Sequence, residues 1–306
     1  MKKRWIPLLI AMFLVILGST STWAVTPREY GMVKDPTGKY YFIDYKMLKN
    51  QWKVSLSQKY YFGSDGRAVT GPQKIDGRYY FFDAEGVLQR PEKERMMKYG
   101  SYYYIVNPNG TINTGWILFN NNLYYGYFRT NGALFRNRTY LNVTLGNNGA
   151  AVKNNYTVRS KIEALKLLKE ITKDSWTREQ KLRAAFNFLS SRDHVKYSSK
   201  YDPTNIGVKG WQHQLAYQFL VLKKGTCSGF NTAFAAVADV LGWNSKILRG
   251  RVIGKNGWYV DHTWLTIDGK FYDPETAYTG TFVCFGLKKY PVKYTIEREF
   301  DYRTYY

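Results

Sequence analysis

The chain has 306 residues, which is long for one ordinary domain and sufficient for two modules that each bury a substantial core. It carries 45 lysine and arginine residues against 23 aspartate and glutamate residues, and the resulting formal charge of +22 favours anionic partners. No nucleic-acid-binding motif accompanies this charge, so nucleic acid is not an expected partner.

The amino terminus has the pattern of a secretory signal peptide. Basic residues at positions 2–4 precede an apolar run from Ile6 to Leu17, and small or polar residues follow. The apolar run is shorter than the ~20 residues needed to cross a bilayer. We therefore predict a signal peptide over residues 1–24, cleaved after Ala24, with an uncleaved anchor as the alternative. After cleavage we expect an extracellular protein without stable membrane insertion.

Residues 25–155 contain an aromatic repeat of about 20 residues. Each repeat has a tyrosine pair, and most pairs are followed by a turn that ends in glycine. The pairs are Tyr40-Tyr41, Tyr60-Tyr61, Tyr79-Tyr80, Tyr103-Tyr104 and Tyr124-Tyr125. Aromatic strand residues and glycine turns are typical of β-hairpins, and a single hairpin cannot bury its own face. We therefore predict a solenoid of stacked hairpins, in which one member of each pair fills the core and the other is free for a ligand. The alternative is that both members of each pair serve only the packing of the solenoid.

The stretches Val69-Thr70-Gly71, Ile75 to Phe81 and Thr114-Gly115-Trp116 resemble the choline- or glucan-binding type of cell-wall-binding repeat in Gram-positive surface proteins. This resemblance implies ligand clefts between neighbouring repeats, where aromatic rings hold a cationic headgroup. Pro72 follows Gly71 at the position where the family pattern has tryptophan. We therefore expect a cell-wall polymer or glycan as the ligand.

Helical periodicity replaces the repeat after residue 155, which predicts a second domain over residues 156–306. Ser160 is the expected cap of a first helix, and Thr177 with Gln180 forms a capping box for a second. A third helix is expected to begin right after Cys227 and to stop at Gly242, which places Cys227 at its amino terminus. Unpaired amides at a helix amino terminus stabilise a thiolate, so Cys227 is a candidate nucleophile. The alternatives are a buried apolar cysteine without a catalytic role and a disulfide between Cys227 and Cys284.

A hairpin further along supplies partners for this cysteine. Tyr259 to Ile267 is predicted as a strand, Asp268-Gly269 as a two-residue turn, and Lys270 to Asp273 as the returning strand. Counting back from the turn places His262 and Asp273 on the same face as diagonal neighbours, close enough for a hydrogen bond.

Other residues compete for these roles. Asp261 falls on the opposite face, and Asp268 lies in the turn. Glu275 would oppose His262 only if the strand continued through Pro274, which has no amide for the ladder. His194 and His213 are interpreted as surface or structural histidines.

Leu222 to Phe230, Asp261 to Leu265 and Gly269 to Pro274 together resemble the transglutaminase-like superfamily. The resemblance implies a papain-like α+β fold in which Cys227 attacks an amide carbonyl, His262 transfers protons and Asp273 orients the imidazole. The chemistry that this resemblance implies requires neither a metal nor an organic cofactor. The backbone amide of Cys227, with or without a side chain from Trp211 to Gln218, is the expected oxyanion donor.

These patterns predict a secreted, cell-wall-associated enzyme of a Gram-positive bacterium that acts on peptide or protein amides. The triad permits transfer of the acyl group to water or to an amine, and the peptidase or amidase reaction is preferred. The alternative is a noncatalytic wall- or glycan-binding protein in which the second domain is only a scaffold.

Overall fold

A computed structural model describes residues 25–201, 205–254 and 256–304. The chain forms two compact units, of which the first ends at Val69 and the second begins at Thr70. The predicted signal peptide lies outside the described residues. Among the helices that are described, none has the length and apolar character required to cross a membrane.

The repeat region consists of antiparallel β-hairpins, as the sequence predicted. In the first unit the strands are β1 Tyr30–Asp35, β2 Gly38–Ile43, β3 Lys46–Met47, β4 Gln51–Ser55 and β5 Gln58–Phe62. In the second unit they are β6 Gly71–Ile75, β7 Arg78–Phe82, β8 Arg95–Tyr99, β9 Tyr102–Val106, β10 Gly115–Phe119, β11 Asn122–Tyr127, β12 Ala133–Leu134, β13 Arg138–Tyr140 and β14 Val143–Leu145. Two-residue turns close the hairpins, except between β11 and β12, which residues 128–132 connect. At Asp76-Gly77 both residues have positive φ, at 48° and 78°, which an aspartate-glycine pair tolerates.

Successive hairpins of the second unit are joined through their turns. The amide of Ile112 donates to the carbonyl of Tyr79 over 2.8 Å, and the amide of Phe81 donates to the carbonyl of Gly110 over 3.1 Å. The aromatic core follows the same stacking, because Phe81, Tyr104 and Ile112 form one buried cluster. The predicted stacking of hairpins is confirmed within this unit.

The tyrosine pairs follow the expected alternation only in part. In Tyr60-Tyr61 and Tyr103-Tyr104 one ring is buried and its neighbour is half-buried, as predicted. Both rings of Tyr40-Tyr41 and of Tyr124-Tyr125 are buried, and both rings of Tyr79-Tyr80 are half-buried. Neighbouring turns and strands cover the second face in the fully buried pairs, so alternation along one strand does not decide exposure by itself.

The following region combines helices with an antiparallel sheet. Its helices are α1 Tyr156–Ile171, α2 Arg178–Leu189, α3 Trp211–Leu222, α4 Cys227–Val240 and α5 Pro274–Tyr278. Its strands are β15 Lys196–Tyr197, β16 Lys224–Gly225, β17 Ser245–Ile253, β18 Tyr259–Ile267, β19 Lys270–Asp273, β20 Cys284–Leu287 and β21 Tyr294–Asp301. The main sheet has the order β20-β19-β18-β17-β21, and buried α4 packs against it.

The helix boundaries agree with the sequence except at α1. Ser160 lies inside α1 and its hydroxyl donates to the carbonyl of Thr157, whereas the side chain of Asn155 caps the helix by accepting from Val158. The expected capping box of Thr177 and Gln180 is present at α2. Helix α4 begins at Cys227, and Gly242 follows its end with a φ of 100°, which suits glycine.

The last hairpins and the helices share one hydrophobic core. Trp116 and Leu123 of the repeat region belong to the same buried cluster as Leu167, Phe186 and Phe234 of the helices. The end of the repeat region is therefore packed onto the following domain and is not a freely jointed appendage.

Candidate active site

Cys227 is the first residue of α4, and its thiol is free and partly exposed. Thr226 precedes it with an extended backbone, so the chain enters the helix directly at the cysteine. Cys284 is also a free thiol and is fully buried, which contradicts the alternative of a Cys227–Cys284 disulfide.

The glycines around Cys227 serve packing. A Cβ added at Gly225 or at Gly229 would lie 2.8 Å from the ring of Phe219. Phe219 of α3 fills the space beside them, and the two glycines allow α3 and α4 to approach closely.

The hairpin of β18 and β19 has the register expected from the turn. Ile267 pairs with Lys270, Thr266 with Phe271 and Leu265 with Tyr272, and His262 lies beyond the last of these pairs. Nε2 of His262 is 2.6 Å from Oδ2 of Asp273, and both side chains are buried. Cys227 lies near enough to His262 to contribute to raising the pKa of His262. The structure therefore brings the three predicted site residues together.

Asp273 is held by several donors besides His262. It caps the short helix α5, and its Oδ1 accepts from the amides of Glu275 at 3.1 Å and Thr276 at 3.3 Å. The hydroxyl of Tyr290 donates to Oδ2 over 2.6 Å. Because α5 starts at Pro274, the strand ends at Asp273 and its carboxylate turns toward His262.

Asn231 connects the helix, the strand and the acid. Its Nδ2 lies 3.0 Å from the carbonyl of Cys227, 2.7 Å from the carbonyl of Thr263 and 3.2 Å from Oδ1 of Asp273. Sequence reasoning missed this residue, although a polar side chain one helical turn after Cys227 in a buried helix was an available signal. It also missed Tyr290, which lies in an irregular segment without a recognisable pattern.

The electrostatics of the site favour a protonated His262. Burial alone would lower the pKa of His262, but the charge and hydrogen bond of Asp273, assisted by Cys227, raise it well above the usual value. Burial, together with the charge of Asp273, raises the pKa of Tyr290, which therefore remains a hydrogen-bond donor. Burial also raises the pKa of the Cys284 thiol, which keeps that cysteine neutral.

Glu275, the rival acid, is buried but does not bond His262. Burial, reinforced by the charge of Asp273 and opposed by His262, raises the pKa of Glu275 to about 7. Ligand atoms of His262, Asp273 and Glu275 lie within 4.8 Å of one another. Both oxygens of Asp273 already accept hydrogen bonds from protein donors, so this cluster has the character of an anchored carboxylate and not of an open metal site.

The other candidates lie elsewhere. Asp261 is exposed and faces Arg251 at 3.5 Å, on the side predicted for it. His194 stacks on Phe188, and His213 is buried in α3, where burial followed by the charge of Lys161 lowers the pKa of His213 to about 3. Among the expected oxyanion donors, Gln212 is instead bound to the carbonyl of Thr304 at 2.9 Å.

A separate cleft of about 1210 Å³ lies between the last hairpins and the helices. Trp116, Phe119, Tyr140 and Trp176 line it, and none of the three site residues does. It is therefore distinct from the cysteine site and is not needed to explain the chemistry there.

Comparison with known families adds to this geometry. Residues 165–276 match the model of the transglutaminase-like superfamily, and residues 49–88 match that of the choline-binding repeat. A choline-binding repeat thus precedes a transglutaminase-like domain. The superfamily is typically enzymatic, and this combination of modules supports a cell-wall-associated protein.

Several solved structures resemble the chain in part. Choline-binding protein F from Streptococcus pneumoniae, solved in the presence of a peptidoglycan analogue, is 29% identical over 40% of this chain and 47% of that chain, with a TM-score of 0.19. The protein CbpJ from the same species is 25% identical over 40% and 48%, with a TM-score of 0.24. The endolysin of phage Cp-1 complexed with choline is 21% identical over 42% and 39%, with a TM-score of 0.31. The chain spans less than half of each structure. No curated protein sequence matches it.

Proposed function

We propose that the protein is a secreted, cell-wall-associated cysteine enzyme that cleaves or transfers peptide or protein amides through Cys227, His262 and Asp273. The observation that carries this proposal is the position of His262, which hydrogen-bonds Asp273 and lies near Cys227, where Asn231 ties the start of α4 to the adjacent Thr263. An imidazolium beside a cysteine stabilises the thiolate, which is the nucleophilic form.

The reaction proceeds in two halves. The sulfur of Cys227 attacks the amide carbonyl and forms a thioester, while the carbon–nitrogen bond breaks and His262 gives its proton to the departing amine. In the second half His262 removes a proton from water or from an incoming amine, which attacks the thioester and releases Cys227. Water yields a carboxylic acid and an amine yields a new amide; we favour hydrolysis.

The repeat region, taken as residues 25–155, would hold this enzyme on a wall polymer or glycan of a Gram-positive cell. The repeat match and the excess of basic residues support this role. Retention on the wall would raise the local concentration of envelope substrates for the domain at residues 156–306.

Alkylation of the intact protein tests the nucleophile. Iodoacetamide near neutral pH should modify Cys227 much faster than buried Cys284, as read by peptide mass mapping. Equal, slow labelling of both cysteines would favour the noncatalytic alternative, in which the domain is a scaffold for wall binding.

A second experiment identifies whether water or an amine accepts the acyl group from Cys227. The protein and its Cys227→Ala variant are incubated with peptidoglycan and surface proteins in ¹⁸O-labelled water containing a biotinylated primary amine. Hydrolysis places ¹⁸O in a new carboxylate, whereas transfer places biotin on the substrate. Products that also form with Cys227→Ala would refute the proposed chemistry.

A further inference from the structure

Strand β18 has an open edge beside Cys227. On one side it pairs with β17 along its whole length, from Ser245 opposite Ile267 to Ile253 opposite Tyr259. On the other side β19 reaches only as far as Leu265, because that strand ends at Asp273 and α5 follows. No described strand pairs with residues 259–263 on that side.

The main-chain groups at this edge can be assigned from the alternation of an antiparallel strand. The carbonyl of Thr263 points to the open side, since it accepts from Asn231 over 2.7 Å. With a period of two, the amides and carbonyls of Asp261 and Tyr259 point the same way. Both residues are exposed, and their main-chain amides and carbonyls have no hydrogen-bond partner on that side among the described residues. An unpaired edge of this kind is a template for another strand.

The open edge leads directly to the candidate nucleophile. Nδ2 of Asn231 bridges the carbonyls of Thr263 and Cys227, at 2.7 Å and 3.0 Å, so the start of α4 lies against the edge at Thr263. His262 lies between this point and the open stretch. A chain that paired with Tyr259 and Asp261 would therefore run toward the thiol.

The side chains along this stretch do not impose a strongly charged pocket. Val260, two residues from His262, shares its face and is 43% exposed. Ile296 is 47% exposed and pairs with Gly250, which itself pairs with His262. On the face that His262 occupies, the flanking surface is apolar, whereas the exposed ion pair of Asp261 and Arg251 lies on the opposite face. Recognition through the main chain would therefore accept varied side chains on the His262 face.

We propose that the substrate is a polypeptide in extended conformation, whose main chain adds to the open edge of β18 as a further strand with the reacting amide at Cys227. This inference rests on the proposed function, because it places the substrate of that same site. Main-chain hydrogen bonds supply affinity in such strand addition, and alternate side chains face the protein. A folded helix or a glycan has no suitably spaced main-chain amides for this edge.

The test uses the full chain and two alanine peptides with cysteine-reactive ends. Acetyl-tetraalanine chloromethyl ketone extends on the acyl side of the thiol, and chloroacetyl-tetraalanine amide extends on the leaving-group side. At least one should label Cys227 tenfold faster than its peptide-free counterpart, chloroacetone or chloroacetamide. N-methylation of single residues in that peptide should lower the rate about fivefold or more at alternate positions only.

A pair of variants locates the binding strand. Asp261→Pro removes the amide at the open edge, whereas Asp261→Ala removes only the side chain and keeps the amide. The labelling rate of the peptide divided by that of its peptide-free counterpart should fall further in Asp261→Pro than in Asp261→Ala. This ratio corrects for any disturbance of the neighbouring His262.

Two outcomes would overturn the proposal. One is a peptide series no faster than the peptide-free reagents on both sides of the thiol. The other is an N-methyl scan without alternation. In either case, rapid labelling of Cys227 by iodoacetamide would leave the proposed nucleophile intact, whereas slow labelling by every reagent would refute the proposed function itself.

Discussion

The hydroxyl of Tyr290 donates over 2.6 Å to the same Asp273 oxygen that bonds His262. Two donors therefore share one carboxylate oxygen in a buried setting, where hydrogen bonds to charged groups are strong. Each donor withdraws part of the negative charge from the other. Tyr290 thereby limits how strongly Asp273 favours the protonated form of His262.

Tyr290→Phe should raise the pKa of His262 further, because Asp273 then directs its oxygen to the imidazole alone. The pKa can be measured by NMR titration of the histidine ring. Tyr294→Phe is the matched control, since Tyr294 packs against Tyr290 at 5.7 Å and its hydroxyl does not donate to Asp273. A His262 pKa that is unchanged or lower in Tyr290→Phe would contradict the proposed competition.

Asp273→Asn should lower the pKa of His262 and slow the alkylation of Cys227 near neutral pH. The charge of Asp273 is what raises the pKa of His262 against the effect of burial. In the wild type this interaction stabilises the fold fully below about pH 6.5 and is lost as the pH rises through the raised value. Urea denaturation of both proteins at several pH values should show that loss only in the wild type.

Glu275→Gln should change the pH dependence of stability between about pH 4.5 and pH 7. The folded protein retains the Glu275 proton up to about pH 7, whereas the unfolded chain releases it near pH 4.5. Wild-type stability therefore falls as the pH rises across that interval, by up to about 3 kcal/mol. Denaturation at both ends of the interval should show that the stability of Glu275→Gln increases relative to that of the wild type as the pH rises. A constant difference would place the carboxyl in a less buried setting.

The region that joins the repeats to the helices contains a buried ion-pair cluster. Lys161 pairs with Asp239, whose other oxygen accepts from Arg303 at 2.7 Å, and the Lys161 ammonium lies 4.7 Å from the centre of the Trp116 ring. Burial alone would raise the pKa of Asp239, but Lys161 and Arg303 lower it. Lys161 thus places a cation of the protein itself against the tryptophan of the repeat.

Lys161→Met should destabilise the protein by about 3 kcal/mol, because it leaves a buried carboxylate with only one of its two cationic partners. Lys166→Met is the matched control. Lys166 pairs with Glu163 at 2.8 Å on the surface of the same helix, where its side chain is 52% exposed. That change should cost less than about 1 kcal/mol. Equal effects in chemical denaturation would show that the buried pair contributes no special stability.

The sequence predicted the elements that rest on local patterns. Turn chemistry at Asp268-Gly269 set the register that brings His262 to Asp273, and the capping box at Thr177 set the start of α2. It did not predict Asn231, Tyr290 or the role of Gly225, because these depend on contacts with Thr263, Asp273 and Phe219 that are distant in sequence. It misplaced the cap of α1 because Asn155 and Ser160 are both acceptable caps and only tertiary packing decides between them.

Wall binding should depend more on salt than on choline. Aromatic faces in the repeats already hold ammonium groups of the chain, such as Lys53 at 4.6 Å from Tyr41 and Lys59 at 4.5 Å from Trp52. A choline headgroup would have to displace them, whereas the excess of basic residues attracts anionic polymers. We therefore expect the full-length protein to sediment with purified Gram-positive walls.

Sodium chloride at about 1 M should release the protein from the walls, because the Debye length then shrinks to about 3 Å. Choline chloride at matched ionic strength should release no more protein than sodium chloride does, as measured by the fraction left in the supernatant. Selective release by choline would show that free aromatic cages, and not the basic surface, hold the protein on the wall.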